Sequence, residues 1–301
     1  MTGPHEAERA TSVDEDDPVY DFDLDQFRRD GISWPVGRVD VDGLAEHFFE
    51  VQRHAQRRRG RDLHISPHLL STELDALVRH PTILDRVEAV LGPDFVLWES
   101  DFARKPPGGG SHIPWHADGP YWNLSTDEVV SIWVAFTDVS VENAAMQVVP
   151  GTHLQAGLAT LDYDGDPMAG YAEGIRTSSE GNAFNYDTVL SEAIDFERDA
   201  VSIELAPGEF SIHHVDLVHG GGANTSDRDR IGYAMRYISA RTYCRTGVDS
   251  VMPMRGDVGS EHFVFEPRPT SSFDDAAWAA FEKAMAYPSG FGDRTIEAAE
   301  V

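Results

Sequence analysis

From Phe95 onward the apolar residues of this chain recur with a period of two, whereas before it they recur at helical spacing, and this change constrains the fold most. Leu44, Phe48, Val51 and Ala55 fall on one helical face ahead of Arg57-Arg58-Arg59, a basic run suited to a helix C-terminus. A third helix is predicted from Pro81, with Ile83, Val87, Val90 and Leu91 inside and Gly92 closing it. Alternation then predicts strands at Phe95–Arg104, Ser111–Asp118, Val129–Thr137, Met146–Val149, Val201–Leu205, Phe210–His214 and Ile231–Ile238. Turn residues such as Pro106-Pro107-Gly108, Pro150-Gly151 and Pro207-Gly208 bound them. Strands in that number without alternating helices predict a mainly β fold with flanking helices, a jelly roll or cupin-like double-stranded β-helix.

The rest of the chain frames that body. Residues 1–19, with Asp14-Glu15-Asp16-Asp17, read as a disordered acidic tail, residues 20–290 as a single domain and 291–301 as a polar end. Residues 155–200 break the strand rhythm with Gly, Asp, Ser and Asn, as a lid or an insert would. A short helix is expected around Ala276–Ala286. The 52 acidic against 24 basic residues, formally −28, repel nucleic acid and anionic membranes, so neither is an expected partner. One cysteine, Cys244, excludes an internal disulfide and a cysteine metal cage. With neither a transmembrane-length run nor a basic-then-apolar leader, a cytoplasmic enzyme is the expectation.

The chemistry gathers in a split pattern, His116-Ala117-Asp118, then His219, then Arg230. On a strand, His116 and Asp118 would leave one face together. A second imidazole about a hundred residues later completes two histidines and a carboxylate, a trio that occupies one face of octahedral Fe(II) and leaves the opposite positions open. His213, His214 and His219 are expected on the strand entered from Pro207-Gly208-Glu209-Phe210, with Gly220-Gly221-Gly222 beyond them. On the last predicted strand Arg230, Gly232, Ala234 and Arg236 share one face, and Ile231, Tyr233, Met235 and Tyr237 the other. Two arginines separated by tiny residues suit a barrel interior shaped for a carboxylate, which a guanidinium fork grips bidentately.

Together Trp115-His116-Ala117-Asp118-Gly119, Pro150-Gly151-Thr152-His153, His219-Gly220-Gly221-Gly222-Ala223-Asn224 and Arg230 resemble the phytanoyl-CoA dioxygenase family, particularly its bacterial small-molecule hydroxylases. The likeness runs from about Asp21 to Tyr243 and includes His80–Trp98 and Lys105-Pro106-Pro107. It implies iron ligands His116, Asp118 and His219 acting in catalysis, with 2-oxoglutarate and O₂ as co-substrates. Arg230 would bind the distal carboxylate, Trp133 would line that pocket, and Lys105 is a further candidate cation there. The chain departs from the pattern at Gly221, where many members carry a serine that touches the co-substrate. His214 is the rival third ligand; the triple glycine and the interval to Arg230 favour His219. His153 matches the family motif, as a turn residue or a site residue. Related halogenases have Ala or Gly in place of the carboxylate, so Asp118 favours hydroxylation.

The resemblance implies a small-molecule substrate, oxidised as 2-oxoglutarate gives succinate and carbon dioxide. Trp115, Tyr121, Trp122 and Asn123 are candidate substrate walls, and Arg236 a candidate receptor for a carboxylate or phosphonate. Two other readings remain open: a non-catalytic cupin-like metal-binding module, which would not need Arg230, and a cupin-type isomerase or hydrolase that does not use 2-oxoglutarate. The oligomeric state is not legible.

Overall fold

The computed structural model describes residues 20–155, 159–161, 188–190, 194–289 and 292–293, with backbone alone at 159–161, 188–190, 288–289, 292–293 and Tyr121. The tail expected at 1–19, most of the lid or insert expected at 155–200, and nearly all of the end expected at 291–301 lie outside them. The helical half opens with α1 (Leu24–Asp30), capped by the Asp23 carboxylate and closed by Gly31 at φ 75°. Next comes α2 (Leu44–Arg59), which ends on the expected arginine run. An unanticipated α3 (Thr72–Val78), capped by Ser71, makes the expected Pro81 helix the fourth: α4 (Pro81–Leu91).

Strands follow as β1 (Ile32–Ser33), β2 (Phe95–Lys105), β3 (Ile113–His116), β4 (Val129–Ala135), β5 (Met146–Val148), β6 (Ala159–Leu161), β7 (Thr188–Leu190) and β8 (Val201–Ile203). β9 (Phe210–His214), β10 (His219–Gly221), β11 (Arg230–Ser239), β12 (Asp249–Arg255) and β13 (Phe263–Phe265) complete the main sheets. Short helices α5 (Gly119–Trp122) and α6 (Phe196–Asp199) interrupt them, and α7 (Asp275–Ala284) occupies the position expected for the last helix. A seven-stranded sheet runs β1-β9-β4-β11-β2-β12-β13, and a four-stranded sheet runs β3-β10-β5-β8. Only β12 and β13 pair in parallel within these sheets. This is the expected jelly roll with helices on its outside.

The face split expected of β11 is present. Ile231, Tyr233, Met235 and Tyr237 pack with Phe48, Val51, Ile83 and Val87 beneath the helices. Ala234 turns inward with Trp133, Val148 and Leu217. Each buried apolar side chain contributes about 1.5–3 kcal/mol, so the helical layer fixes the outward face and thereby which residues of β11 face the interior.

Three expectations change. β3 stops at His116 because Asp118, at φ −71° and ψ −37°, has already turned toward α5. β9 ends at His214, and His219 lies on a separate strand of the smaller sheet. β11 is not the last strand, since β12 runs beside β2 despite carrying Pro253, where the pairing register shifts.

Candidate metal centre

His116 and His219 meet through strand pairing. β3 and β10 are antiparallel neighbours in which His116 lies opposite His219, their ring centroids 4.1 Å apart. Asp118 reaches them from beyond the strand, where the Val215 carbonyl accepts the N–H groups of both Asp118 and Gly119 at 3.0 Å. One donor atom from each of His116, Asp118 and His219 lies within 4.8 Å of the others, and all three residues are buried. Among the described residues this is the one such cluster. It lines a cavity of about 340 Å³ between the two sheets.

The local bonding fits a cation. Nδ1 of His116 is 2.9 Å from the Pro114 carbonyl and Nδ1 of His219 is 2.9 Å from the Leu217 carbonyl. In a neutral ring, Nδ1–H then donates to the carbonyl and Nε2 keeps its lone pair, the tautomer a metal requires. Nε2 of His116 sits 3.4 Å from Oδ1 of Asp118, where two lone-pair donors repel unless a proton or cation lies between them. Burial opposes charge on Asp118, yet the hydrogen bond with His116 and the charges of His219, His116 and Arg236 hold its carboxyl well below the usual range. Burial first, and then His116, pushes His219 down to about 4.

At another part of the cavity lies Arg230, 4% exposed. Its Nη1 donates to the Ala144 carbonyl at 2.6 Å, Nε is buried without a partner, and the guanidinium lies 5.3 Å from the Trp133 ring centroid. Burial pushes it down to about 10. Trp133 needs Gly232: a Cβ there would lie 2.0 Å from Cζ2 of the indole. Lys105, opposite Arg230 in the β2–β11 register, donates to the carbonyls of Gly221, at 2.9 Å, and Gly222. Burial, and then Arg230, push its ammonium down to about 7. Arg230, Trp133 and Lys105 all line the cavity.

The expected substrate walls fare differently. Trp122 is fully buried and packs edge-on against Trp98, 5.3 Å away, in a separate core cluster. Trp115 leaves the opposite face of β3 from His116 and packs on Phe196. Asn123 is exposed, at φ 45° as the C-cap of α5. None of the three lines the cavity, and the Tyr121 side chain lies outside the described residues. Arg236 does line it, but the protein already meets its charge: Nη1 is 3.0 Å from Asp101 and 3.9 Å from Glu99. An anion receptor would need that charge uncommitted.

His214 packs against His153, 5.1 Å between ring centroids, and belongs to neither the cluster nor the cavity wall. His153 sits in a turn, its Nε2 3.1 Å from the Arg28 carbonyl, while its neighbour Thr152 accepts from the Val218 N–H just before His219. The motif therefore braces β10 from outside the cavity. Sequence reasoning missed Ser131 and His213 as cavity residues, together with Asp101 on β2. Burial pushes His213 down to about 3. His213 lies opposite Ser131, and Ser131 opposite Arg236, so the known inward arginine would have revealed both had the register been legible.

A family model described as phytanoyl-CoA dioxygenase matches residues 40–232, more than half of the chain. A probable alpha-ketoglutarate-dependent hypophosphite dioxygenase of Stutzerimonas stutzeri is 29% identical over 173 residues, 56% of this chain and 55% of that protein. The chain spans about half the length of the curated relatives it matches. Among solved structures, the apo form of the non-heme monooxygenase ThoJ aligns with a TM-score of 0.72 at 29% identity, covering 91% of this chain and 96% of that one. Its nickel complex aligns at 0.67 and 28%, covering 86% and 94%.

Proposed function

The chain belongs to the phytanoyl-CoA dioxygenase family, and from that premise we propose that it is an Fe(II)- and 2-oxoglutarate-dependent dioxygenase hydroxylating a small polar metabolite or natural-product intermediate. One observation carries the reading: a buried cluster of two histidines and a carboxylate shares one cavity with a buried arginine that has no carboxylate partner among the described residues. A metal module without 2-oxoglutarate has no use for that arginine.

In this reading His116, Asp118 and His219 hold the iron, with the two Nδ1-to-carbonyl contacts fixing the rings so that Nε2 faces it. Arg230 grips the distal carboxylate of 2-oxoglutarate from its seat on Trp133, with Lys105 beside it. Iron, O₂ and 2-oxoglutarate together supply the oxidation: one oxygen atom enters a substrate C–H bond, the other enters succinate, and carbon dioxide leaves. The protein's part is to position the reactants and exclude bulk water, as burial of all three ligands favours. A cavity of about 340 Å³ is near the small end for ligand pockets and suits a small molecule. Asp118 takes up the coordination position that the family's halogenases leave vacant, which supports oxygen insertion over halogenation.

The test is Fe(II)-dependent conversion of 2-oxoglutarate to succinate in the absence of other substrate, followed by a metabolite screen for stimulation. Failure of the Fe(II)-loaded protein to bind or convert 2-oxoglutarate would sink the reading and favour a metal module or a cupin-type isomerase.

A further inference from the structure

We propose that Lys105 and Gly221 form a matched pair that completes the co-substrate recess: Lys105 supplies a second cation for the distal carboxylate and fills the space that a side chain at 221 would need. The inference rests on the functional reading above and concerns how this chain loads its co-substrate.

Two buried cations stand side by side. Lys105 and Arg230 are direct partners in the β2–β11 register, and among the described residues the side-chain hydrogen bonds of each go to backbone carbonyls, Gly221 and Gly222 for the lysine and Ala144 for the arginine. Among the described residues no carboxylate pairs with either cation, and the carboxylates that line the cavity are engaged elsewhere, Asp101 of β2 with Arg236 at 3.0 Å and Asp118 beside His116 at 3.4 Å. β10 presents its glycine carbonyls, and β4 presents the indole of Trp133. Asn224, in the turn after β10, gives its amide to the Lys105 carbonyl oxygen at 2.9 Å. Arg228 in the same turn pairs with Asp138, and Arg104 with Asp229 at 2.7 Å, so the nearby acids are already engaged. Like charges buried together without an anion repel strongly in a medium of low dielectric. The arrangement is complete only when an anion of about carboxylate size sits against both.

Gly221 makes the lysine's position possible. A Cβ there would lie 3.1 Å from Nζ of Lys105, tighter than about nine in ten real contacts, so a side chain at 221 must push the ammonium aside by a few tenths of an ångström and competes with it for the same space. In the empty recess, burial and Arg230 bring Lys105 to about 7. Above that pH the amine is largely neutral, and an arriving carboxylate restores the ammonium by drawing a proton from solvent. Below it the charge is already present and no proton is needed. Affinity therefore falls as pH rises above about 7, by up to about tenfold per unit, until the bound-state value is passed.

The experiment is anaerobic titration calorimetry of 2-oxoglutarate into the Fe(II)-loaded full chain, in PIPES and in Tris, from pH 6 to 8.5, so that heat reports binding without turnover. Proton uptake should be near zero at pH 6 and approach one by about pH 8. Lys105→Met should abolish the uptake and bind about ten- to hundredfold more weakly at pH 6, with wild type and variant converging as pH rises. Gly221→Ser should weaken binding in the wild-type background and not in Lys105→Ala, where the space is free. Wild-type binding without pH-dependent uptake, Lys105→Met binding like wild type at pH 6, or an equal loss from Gly221→Ser in both backgrounds would each overturn the pairing while leaving the oxygenase reading intact. Absence of any wild-type binding would instead overturn that reading, and the pairing with it. Should Lys105→Met fail to fold, the wild-type uptake and the Gly221→Ser measurement still decide.

Discussion

Replacing Gly232 by alanine should be among the most damaging of small substitutions in this chain. A Cβ at 232 would lie 2.0, 2.4 and 2.6 Å from Cζ2, Cη2 and Cε2 of Trp133, while ordinary contact begins at 3.4 Å. The ring must therefore retreat by roughly 1.4 Å. It has little room, being 8% exposed, held between the two sheets and lying beneath Arg230. Overpacking of this kind costs about 1–3 kcal/mol, and loss of the platform under the guanidinium adds about 0.5–2 kcal/mol. The sum, on the order of 1.5–5 kcal/mol, corresponds to a fall in Tm of about 2–8 °C for a chain of this size. The backbone effect has the opposite sign, since alanine in a strand is ordinarily favoured over glycine by about 0.5–1 kcal/mol, so the direction of the change is itself the test. Trp133→Phe removes the two closest clashing atoms, Cζ2 and Cη2. In a double-mutant cycle by urea unfolding, Gly232→Ala should cost far less in the Trp133→Phe background, with a coupling of at least about 1 kcal/mol. A neutral or stabilising Gly232→Ala in the wild-type background would refute the packing argument.

Other expectations follow from the same cavity. His116→Ala, Asp118→Ala and His219→Ala should each abolish Fe(II)-dependent turnover while circular dichroism stays native, whereas His214→Ala keeps it; the reverse for His219 and His214 would reassign the third ligand. Arg230→Ala should raise the 2-oxoglutarate KM by the equivalent of about 2–5 kcal/mol, with Arg230→Lys a partial rescue, and an unchanged KM would give the role to another cation. In abundant chloride the wild type should yield oxygenated product only, and chlorinated product in the mass spectrum would contradict Asp118 as a ligand. Burial holds His213 at about 3, and His214 and His219 at about 4, so the metal-free fold keeps them neutral while the unfolded chain protonates them below about 6.5. Its stability should consequently fall as pH drops from about 6.5 toward 4, by up to about 1.4 kcal/mol per pH unit for each imidazole; a flat profile by chemical denaturation would contradict their buried, neutral state.

Much of this was legible where the pattern is local. The alternation along residues 230–237 correctly assigns Ile231, Tyr233, Met235 and Tyr237 to the helix-covered face, because burial on one side writes itself into every second residue. The ligand cluster was legible in its residue types and not in its geometry. Asp118 meets His116 through a turn, and His219 meets it by cross-strand pairing over about a hundred residues. β12 was missed because Pro253 interrupts it, and β1 because two residues carry no period. Aromatic residues near the motif misled: Trp122 is as hydrophobic in a core as in a wall, and sequence does not say which side of Asp118 the cavity lies on. Ser131 and His213 entered only through register, a long-range property that no local window contains.

The two-sided character of β11 also limits how this chain can change over generations. Loss or gain of one residue between Arg230 and Arg236 would send one arginine into the helical layer and bring a tyrosine or methionine into the cavity. Every position beyond the change would invert at once, so insertion and deletion are disfavoured as routes to a new activity along this strand. Revision there must come by exchange in place, at inward sites such as Ala234, whose small side chain leaves room to grow. The connections beyond the strand ends obey no such parity and are free to vary in length. Lineages built on this scaffold should therefore diverge by length in their loops and by letter in their strands.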